Sequence, residues 1–402
     1  MTIANAFGRW LERAWWRPRP GLFAGAMSPL AAWVAHVAST RRRQAESSSA
    51  PRAARLRVPV IVVGNVIVGG AGKTPTVIAL VHLLRTWGWT PGIVSRGYGR
   101  AGSAPVLLDA TRGHAPPGAA QAGDEPLLMH RRTGAPVAIA RARLEAAQRL
   151  LAARPDVDVI VADDGLQHHA LPRDVEVVVF DGRGLGNGRV LPAGPLREPL
   201  GALWPHPPGS GAHASDQPAA SLSGQHAARH PGAPTTAVPS APPRLVVLNG
   251  PWPSPPAHPL PAAAAHVSWP ARRELAGAAS LADWAAGAPP SRATLDALRG
   301  RPLLAAAGIG HPQRFFDMLA DAGVPAQPLP LPDHASFDPL PWPAGTADVV
   351  VTEKDAVKLA GRPLGGTRAW VVTLDFAFDP GFEQALRQAL PAPPARLPTT
   401  PG

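Results

Sequence analysis

The sequence predicts an α/β fold, a mostly parallel sheet flanked by helices in two lobes, preceded by a helical N-terminal segment. Three observations predict it. Short β-branched runs, Val60-Ile61-Val62-Val63 and Val175-Glu176-Val177-Val178-Val179 among them, recur between stretches of helical periodicity. Several of these runs end in glycines or paired acids, as strands do on the ligand-binding edge of an open α/β sheet. Residues 205–243 are rich in Pro, Ser, Ala, Gly and His, lack any apolar period, and separate two such regions. The chain accordingly divides into an N-terminal segment (1–57), a first lobe (58–204), a disordered insert (205–243), a second lobe (244–390) and a disordered tail (391–402).

With 402 residues, 45% of them hydrophobic, the chain can bury a substantial core. The absence of cysteine excludes disulfides, thiolate metal sites and a cysteine nucleophile. A formal charge of +11 points to an acidic partner: nucleic acid, anionic lipid or a phosphorylated substrate. The single tyrosine, Tyr98, and the lack of an RNA-binding aromatic signature argue for no nucleic acid. Of 39 basic side chains only three are lysines: Lys73, Lys354 and Lys358. Where any cation serves, this chain uses arginine. A retained lysine marks a position that needs a compact point charge on a flexible stem.

In the N-terminal segment, Trp10, Trp15 and Trp16 lie among Arg9, Arg13, Arg17 and Arg19. Residues 21–39 are mostly apolar, and Arg41-Arg42-Arg43 follow. A membrane-spanning helix needs about 20 apolar residues, and this stretch is interrupted by Ser28, Pro29 and His36. The preferred reading is a membrane-associated helical segment lying in the interface of an anionic membrane surface; spanning, or packing on the core, stays open.

The strand at 60–63 leads through Ile67-Val68-Gly69-Gly70-Ala71-Gly72 into Lys73-Thr74-Pro75 and a helix over 76–85. Strand, glycine loop, Lys-Thr and helix make a P-loop NTPase-like nucleotide site. Backbone N–H groups turn inward around phosphates, Lys73 reaches the terminal phosphates, and the Thr74 hydroxyl can hold Mg²⁺. A strand at 91–94 enters Ser95-Arg96-Gly97-Tyr98-Gly99, on the ligand-binding edge. Asp124-Glu125 precede Pro126 and a helix over 126–132: either a helix N-cap, or a general base beside a metal or water ligand. A strand at 157–163 ends in Asp163-Asp164, a Walker-B-like pair able to hold Mg²⁺. Gln167 and His168 can contact nucleotide or substrate, with a transition-metal site including His169 as the alternative. Arg189 and Arg197 read either as phosphate or acceptor contacts or as solvated cations.

After the insert, residues 244–250 resume β structure, and 251–300 carry little signal. Strands are expected over 302–309, from 349, and over 369–374, with a helix bearing Arg314-Phe315-Phe316. Asp333-His334 falls in a proline-rich loop. Lys354 reads equally as a salt-bridge partner and as a site residue.

In these motifs and their order the chain resembles the tetraacyldisaccharide 4′-kinases. The motifs are Gly64-Asn65 leading into Val68-Gly69-Gly70-Ala71-Gly72-Lys73-Thr74-Pro75, then Ser95-Arg96-Gly97-Tyr98-Gly99 and Gly123-Asp124-Glu125-Pro126. They continue with Asp163-Asp164-Gly165-Leu166-Gln167-His168-His169 and Leu191-Pro192-Ala193-Gly194-Pro195-Leu196-Arg197-Glu198. Gly308-Ile309-Gly310, Asp333-His334 and Thr352-Glu353-Lys354-Asp355 complete them. The resemblance implies transfer of the γ-phosphate of ATP, with Mg²⁺, to the 4′-hydroxyl of a lipid disaccharide, tetraacyldisaccharide 1-phosphate, forming lipid IVA. It implies a peripheral place on the cytoplasmic face of the bacterial inner membrane. It also implies Asp124 as catalytic base with His334 as its partner, and Glu125, Asp163 and Asp164 around metal and nucleotide. The family usually shows a small hydroxyl residue where Ile67 stands, a departure that bears on the geometry of the phosphate loop. A P-loop ATPase or GTPase switch, or a membrane-associated nucleotide-binding scaffold, is the rival reading.

Overall fold

The β-branched runs become strands because both of their faces are covered. The computed structural model describes residues 3–47, 56–112, 117–204, 241–252 and 256–394. Nearly all of the expected insert and the end of the expected tail lie outside these residues. The strands are β1 (Val60–Gly64), β2 (Pro91–Ser95), β3 (Val106–Leu108), β4 (Val137–Ile139), β5 (Val159–Ala162) and β6 (Val175–Asp181). They continue as β7 (Arg244–Asn249), β8 (Ser268–Ser280), β9 (Leu304–Ala307), β10 (Gln327–Pro330), β11 (Asp348–Thr352) and β12 (Arg368–Ala377). All twelve join one sheet in the order β10-β9-β11-β12-β8-β7-β6-β1-β5-β2-β4-β3.

Alternation along the central strands sorts their side chains into two cores. Ile61 and Val63 of β1 meet Val77, Leu80, Val81 and Leu84 of the helix Lys73–Thr86. Val60 and Val62 meet Ala146, Ala147 and Leu150 of the helix Arg143–Ala153 on the opposite face. Each fully buried Val or Leu contributes about 1.5–3 kcal/mol, so these strands are held firmly and their tips are well placed. In the second half, Ala305, Val350 and Val372 cover Phe315, Phe316 and Leu319 of the helix Pro312–Asp321.

The two halves are joined through β8. Its first residues pair in parallel with β7, from Val246↔Ser268 to Asn249↔Ala271. The rest pairs antiparallel with β12, with a register shift between Thr373 and Leu374. One long strand therefore fixes the second half against the first, and the stretch that carried little sequence signal turns out to be the joint.

The N-terminal segment forms the helices Ile3–Trp15, Leu22–Ala26 and Ser28–Ser47. Among the described residues no helix is long and apolar enough to cross a membrane. The segment packs on the loop that follows β6. Trp15 Nε1 donates to Pro192 O at 2.9 Å, and the Arg183 guanidinium lies 4.1 Å from the Trp16 ring centroid. Arg42, only 1% exposed, donates from Nε to Glu198 Oε2 at 2.8 Å and from Nη1 to Glu176 Oε1 at 3.2 Å.

Candidate active site

The carboxyl ends of β1, β2, β5, β9 and β11 converge on one cleft of about 850 Å³. Gly70, Lys73, Thr74, Glu125, Asp164 and His334 all line it. Apolar side chains of the second half, Ile309, Phe315, Met318 and Phe376, line it as well. The halves touch at Gly70 and Gly310, where a Cβ on Gly310 would stand 3.1 Å from Gly70 N. A side chain at 310 would press the two backbones apart, whereas one at 70 would meet Gly310 only at 3.9 Å.

The glycine loop is organised from within. Asn65 is fully buried at the tip of β1; its Nδ2 donates to Ile67 O at 2.7 Å and Gly69 O at 3.3 Å. Its Oδ1 accepts from Lys73 Nζ at 3.2 Å. Ile67 does not crowd the phosphate loop: it bridges to Leu196 and its side chain is fully buried in the core beneath. Val68 N donates to Pro195 O at 2.9 Å, so the loop leans on the proline-rich segment that follows β6. Gly72 opens the helix Lys73–Thr86 in the left-handed conformation, φ 89°. A Cβ there would fall 1.6 Å from Asn249 Nδ2, which donates to Ala71 O at 2.7 Å.

Beside the loop stand the acids at the end of β5. Asp164, at φ 45°, lies 3.6 Å from Lys73 Nζ and accepts from Arg197 Nη1 at 3.2 Å. Burial works to raise the Asp164 carboxyl, yet Lys73, Arg197 and Arg143 hold it below the ordinary carboxylate range. Asp163 is buried; its Oδ2 accepts from Ser95 Oγ at 3.1 Å, while its Oδ1 has no partner among the described residues. Burial first, then the charges of Glu125 and Asp164, push its carboxyl up to about 7.

Across the cleft, Asp124 begins the helix Asp124–Thr133 after Gly123 at φ 88°. Its Oδ1 accepts from Glu125 N at 2.9 Å, and its Oδ2 lies 3.0 Å from His334 Nδ1. His334 is held at φ 60° with its N donating to Asp333 Oδ1 at 3.1 Å, and the Tyr98 ring stands 5.4 Å from its own. Burial works to raise Asp124, but the His334 hydrogen bond and the Lys354 charge hold it low. His334 is raised by that same bond, against burial and Lys354. Lys354 Nζ donates to Glu125 Oε1 at 3.0 Å, to Asp333 Oδ1 at 3.1 Å and to His334 Nε2 at 3.4 Å.

Gln167 and His168 are not brought to the cleft lining. Gln167 Nε2 donates to Asn65 O at 3.0 Å and Glu198 Oε1 at 2.9 Å. His168 Nε2 accepts from Arg143 N at 3.2 Å. Val68 and Ala71 take part through the backbone bonds already described, and Gly69 lines the cleft.

A sequence profile described as tetraacyldisaccharide-1-P 4′-kinase matches residues 23–205 and 253–391. The chain belongs to the tetraacyldisaccharide-1-P 4′-kinase family. A tetraacyldisaccharide 4′-kinase of Methylibium petroleiphilum is 48% identical over 393 residues, 96% of this chain and 95% of that one. One of Leptothrix cholodnii is 45% identical over 95% of this chain and 96% of that one. A crystal structure of LpxK from Aquifex aeolicus in complex with ATP superposes with a TM-score of 0.64, covering 91% of this chain and 99% of that one. At 21% identity that likeness shows the fold.

In this member of the 4′-kinase family, sequence reasoning passed over two asparagines as site residues. Asn65 and Asn249 sit at the carboxyl tips of β1 and β7 and hold the glycine loop from either side. Asn65 stood in the family motif without a role of its own, and the signal for Asn249 was position, at the end of the apolar run Leu245-Val246-Val247-Leu248 on the ligand-binding edge.

Proposed function

We propose that the protein transfers the γ-phosphate of ATP to the 4′-hydroxyl of a tetraacyldisaccharide 1-phosphate, forming lipid IVA. The observation that carries this reading is the Asp124–His334 pair, 3.0 Å apart, whose His334 lines the same cleft as Lys73 and the glycine loop. Phosphoryl transfer asks a protein for positioning and charge neutralisation more than for covalent chemistry. Lys73, the N–H groups of the glycine loop and the start of the helix Lys73–Thr86 bind the donor phosphates. Asp124, ionised at neutral pH, receives the proton of the acceptor hydroxyl. The His334 hydrogen bond keeps that carboxylate ionised and aimed; it orients the base rather than making it stronger.

The acids fit a divalent cation. Asp163 Oδ1 is a buried carboxylate oxygen without a partner among the described residues, and burial with the charges of Glu125 and Asp164 raises its carboxyl against the pull of Lys73. Among the described residues no group of three or more acids or histidines forms a complete cage. That suits Mg²⁺, which is held by one or two carboxylates, phosphates and water. Thr74 and one or two of Asp163, Asp164 and Glu125 are its candidate ligands; when bound it would neutralise phosphate charge.

The N-terminal helices support a place at a membrane surface. Leu22 is 96% exposed and Trp33 63%, beside the exposed Arg17, Arg19, Arg41 and Arg43. Apolar side chains enter the headgroup layer while arginines meet anionic lipid. The decisive experiment supplies purified protein with Mg-ATP labelled in the γ-phosphate and with tetraacyldisaccharide 1-phosphate. Acceptor-dependent label in the lipid is expected, and ATP turnover indifferent to the acceptor would sink the reading. Asp124→Asn should lower kcat by about 10²–10⁴-fold with ATP binding retained; wild-type turnover would remove Asp124 as base.

A further inference from the structure

All three lysines of this arginine-rich chain are in or beside the cleft, and Lys354, which lines it, has no part in the mechanism above. Lys354 stands in the first turn of the helix Glu353–Leu359, which is fixed at its start. Thr352 Oγ1 accepts from Asp355 N, and Asp355 Oδ2 accepts from Gly308 N at 2.9 Å. The Lys354 ammonium has three N–H groups and three acceptors, on Glu125, Asp333 and His334. A planar guanidinium could not converge on three acceptors around one point.

The third contact decides a proton. An ammonium can only donate, so His334 Nε2 must offer a lone pair. The ammonium's charge opposes the second proton that the Asp124 bond favours, and in the neutral imidazole it leaves the proton on Nδ1, the nitrogen 3.0 Å from Asp124 Oδ2. Asp333 Oδ1 lies 3.9 Å from Nε2 and, left alone, would draw the proton to that side. Lys354 occupies Asp333 and removes that pull.

We propose that Lys354 is a positioning residue for the phosphoryl-transfer base: its ammonium holds His334 in the Nδ1-protonated tautomer and so keeps the His334 N–H on Asp124. This rests on the reading of Asp124 as base. A plain ion pair between the two halves, like Arg132 with Glu353, is the competing role. It would be satisfied by arginine and would show in stability rather than in kcat.

The test uses the full chain in the acceptor-dependent assay with Lys354→Met, Lys354→Arg, His334→Gln and the double variant Lys354→Met/His334→Gln. Lys354→Met should lose about 10²-fold in kcat, with KM for Mg-ATP and for acceptor changing by less than about 3-fold. Lys354→Arg should keep the melting temperature but not the turnover. If Lys354 acts through His334, the double variant is no slower than His334→Gln alone. In ¹⁵N-histidine spectra, the resonances that His334→Gln removes should report protonation at Nδ1 in the wild type and at Nε2 in Lys354→Met. Wild-type kcat in Lys354→Arg, additive losses in the double variant, or an unchanged tautomer would each overturn the proposal. Asp124→Asn separates the two ideas. If it turns over normally, the reading of the base fails. If it is inactive while Lys354→Met is normal, only the role of Lys354 fails.

Discussion

Gly72 shows how much a single position can carry. It needs a positive φ and leaves no room for a Cβ against Asn249. Gly72→Ala would cost about 1–2 kcal/mol from backbone conformation alone and would displace Asn249 from the loop as well. A lower melting temperature and a raised KM for ATP are expected; an unchanged KM would show that the loop tolerates the shift. Ile67 teaches the reverse. Its departure from the family pattern was visible in the sequence, but its harmlessness was not, because that depends on Leu196 and the core beneath the loop. Asp124 and His334 are 210 positions apart. Their residue types carried a hint of chemistry, and their meeting is a property of the tertiary fold alone.

At the scale of elements, the helix Ser28–Ser47 is tied to the first half by an unusually charged contact. Glu176 receives Arg42, Arg173 Nη1 at 2.9 Å and Arg244 Nε at 2.6 Å, and despite burial these cations hold its carboxyl down at about 2. Arg42→Met would leave Glu198 with Gln167 alone among the described residues, while Glu176 keeps two arginines. A loss of about 3 kcal/mol is expected, read in chemical denaturation; no loss would mean that the contact is neutral. The exposed apolar side chains of the same segment are separable from this anchor. Leu22→Glu with Trp33→Glu should reduce sedimentation with vesicles containing anionic lipid and leave the melting temperature near the wild-type value. Undiminished sedimentation would move the membrane contact elsewhere. The strands β1, β5 and β6 could be read from the sequence because burial on both faces demands continuous β-branched runs. β8 could not: Ser268–Ser280 contains Pro270, Arg272, Arg273 and Glu274, and only its neighbours β7 and β12 make it a strand.

For the whole molecule, the continuous sheet makes the cleft a property of both halves, and its stability should follow pH accordingly. His169 and His311 are each pushed down to about 4, by burial first and by nearby arginines second. Both bind a proton more readily in the unfolded chain, near 6.5. The stability they contribute is full above that value and is lost as pH falls toward 4. Melting temperature should therefore decline on acidification from pH 7 to pH 5, and less steeply in His169→Gln; a flat profile would contradict the burial of neutral imidazoles.

The placement of lysine has a practical side. Lys73, Lys354 and Lys358 are the whole lysine complement of the chain, with side chains only 13%, 15% and 10% exposed. A reagent that acylates primary amines thus finds, apart from the chain's own first residue, targets only in or beside the cleft. The protein is in effect pre-labelled for footprinting: the number and sites of added acyl groups, read by mass, would follow what occupies the cleft without any engineered probe.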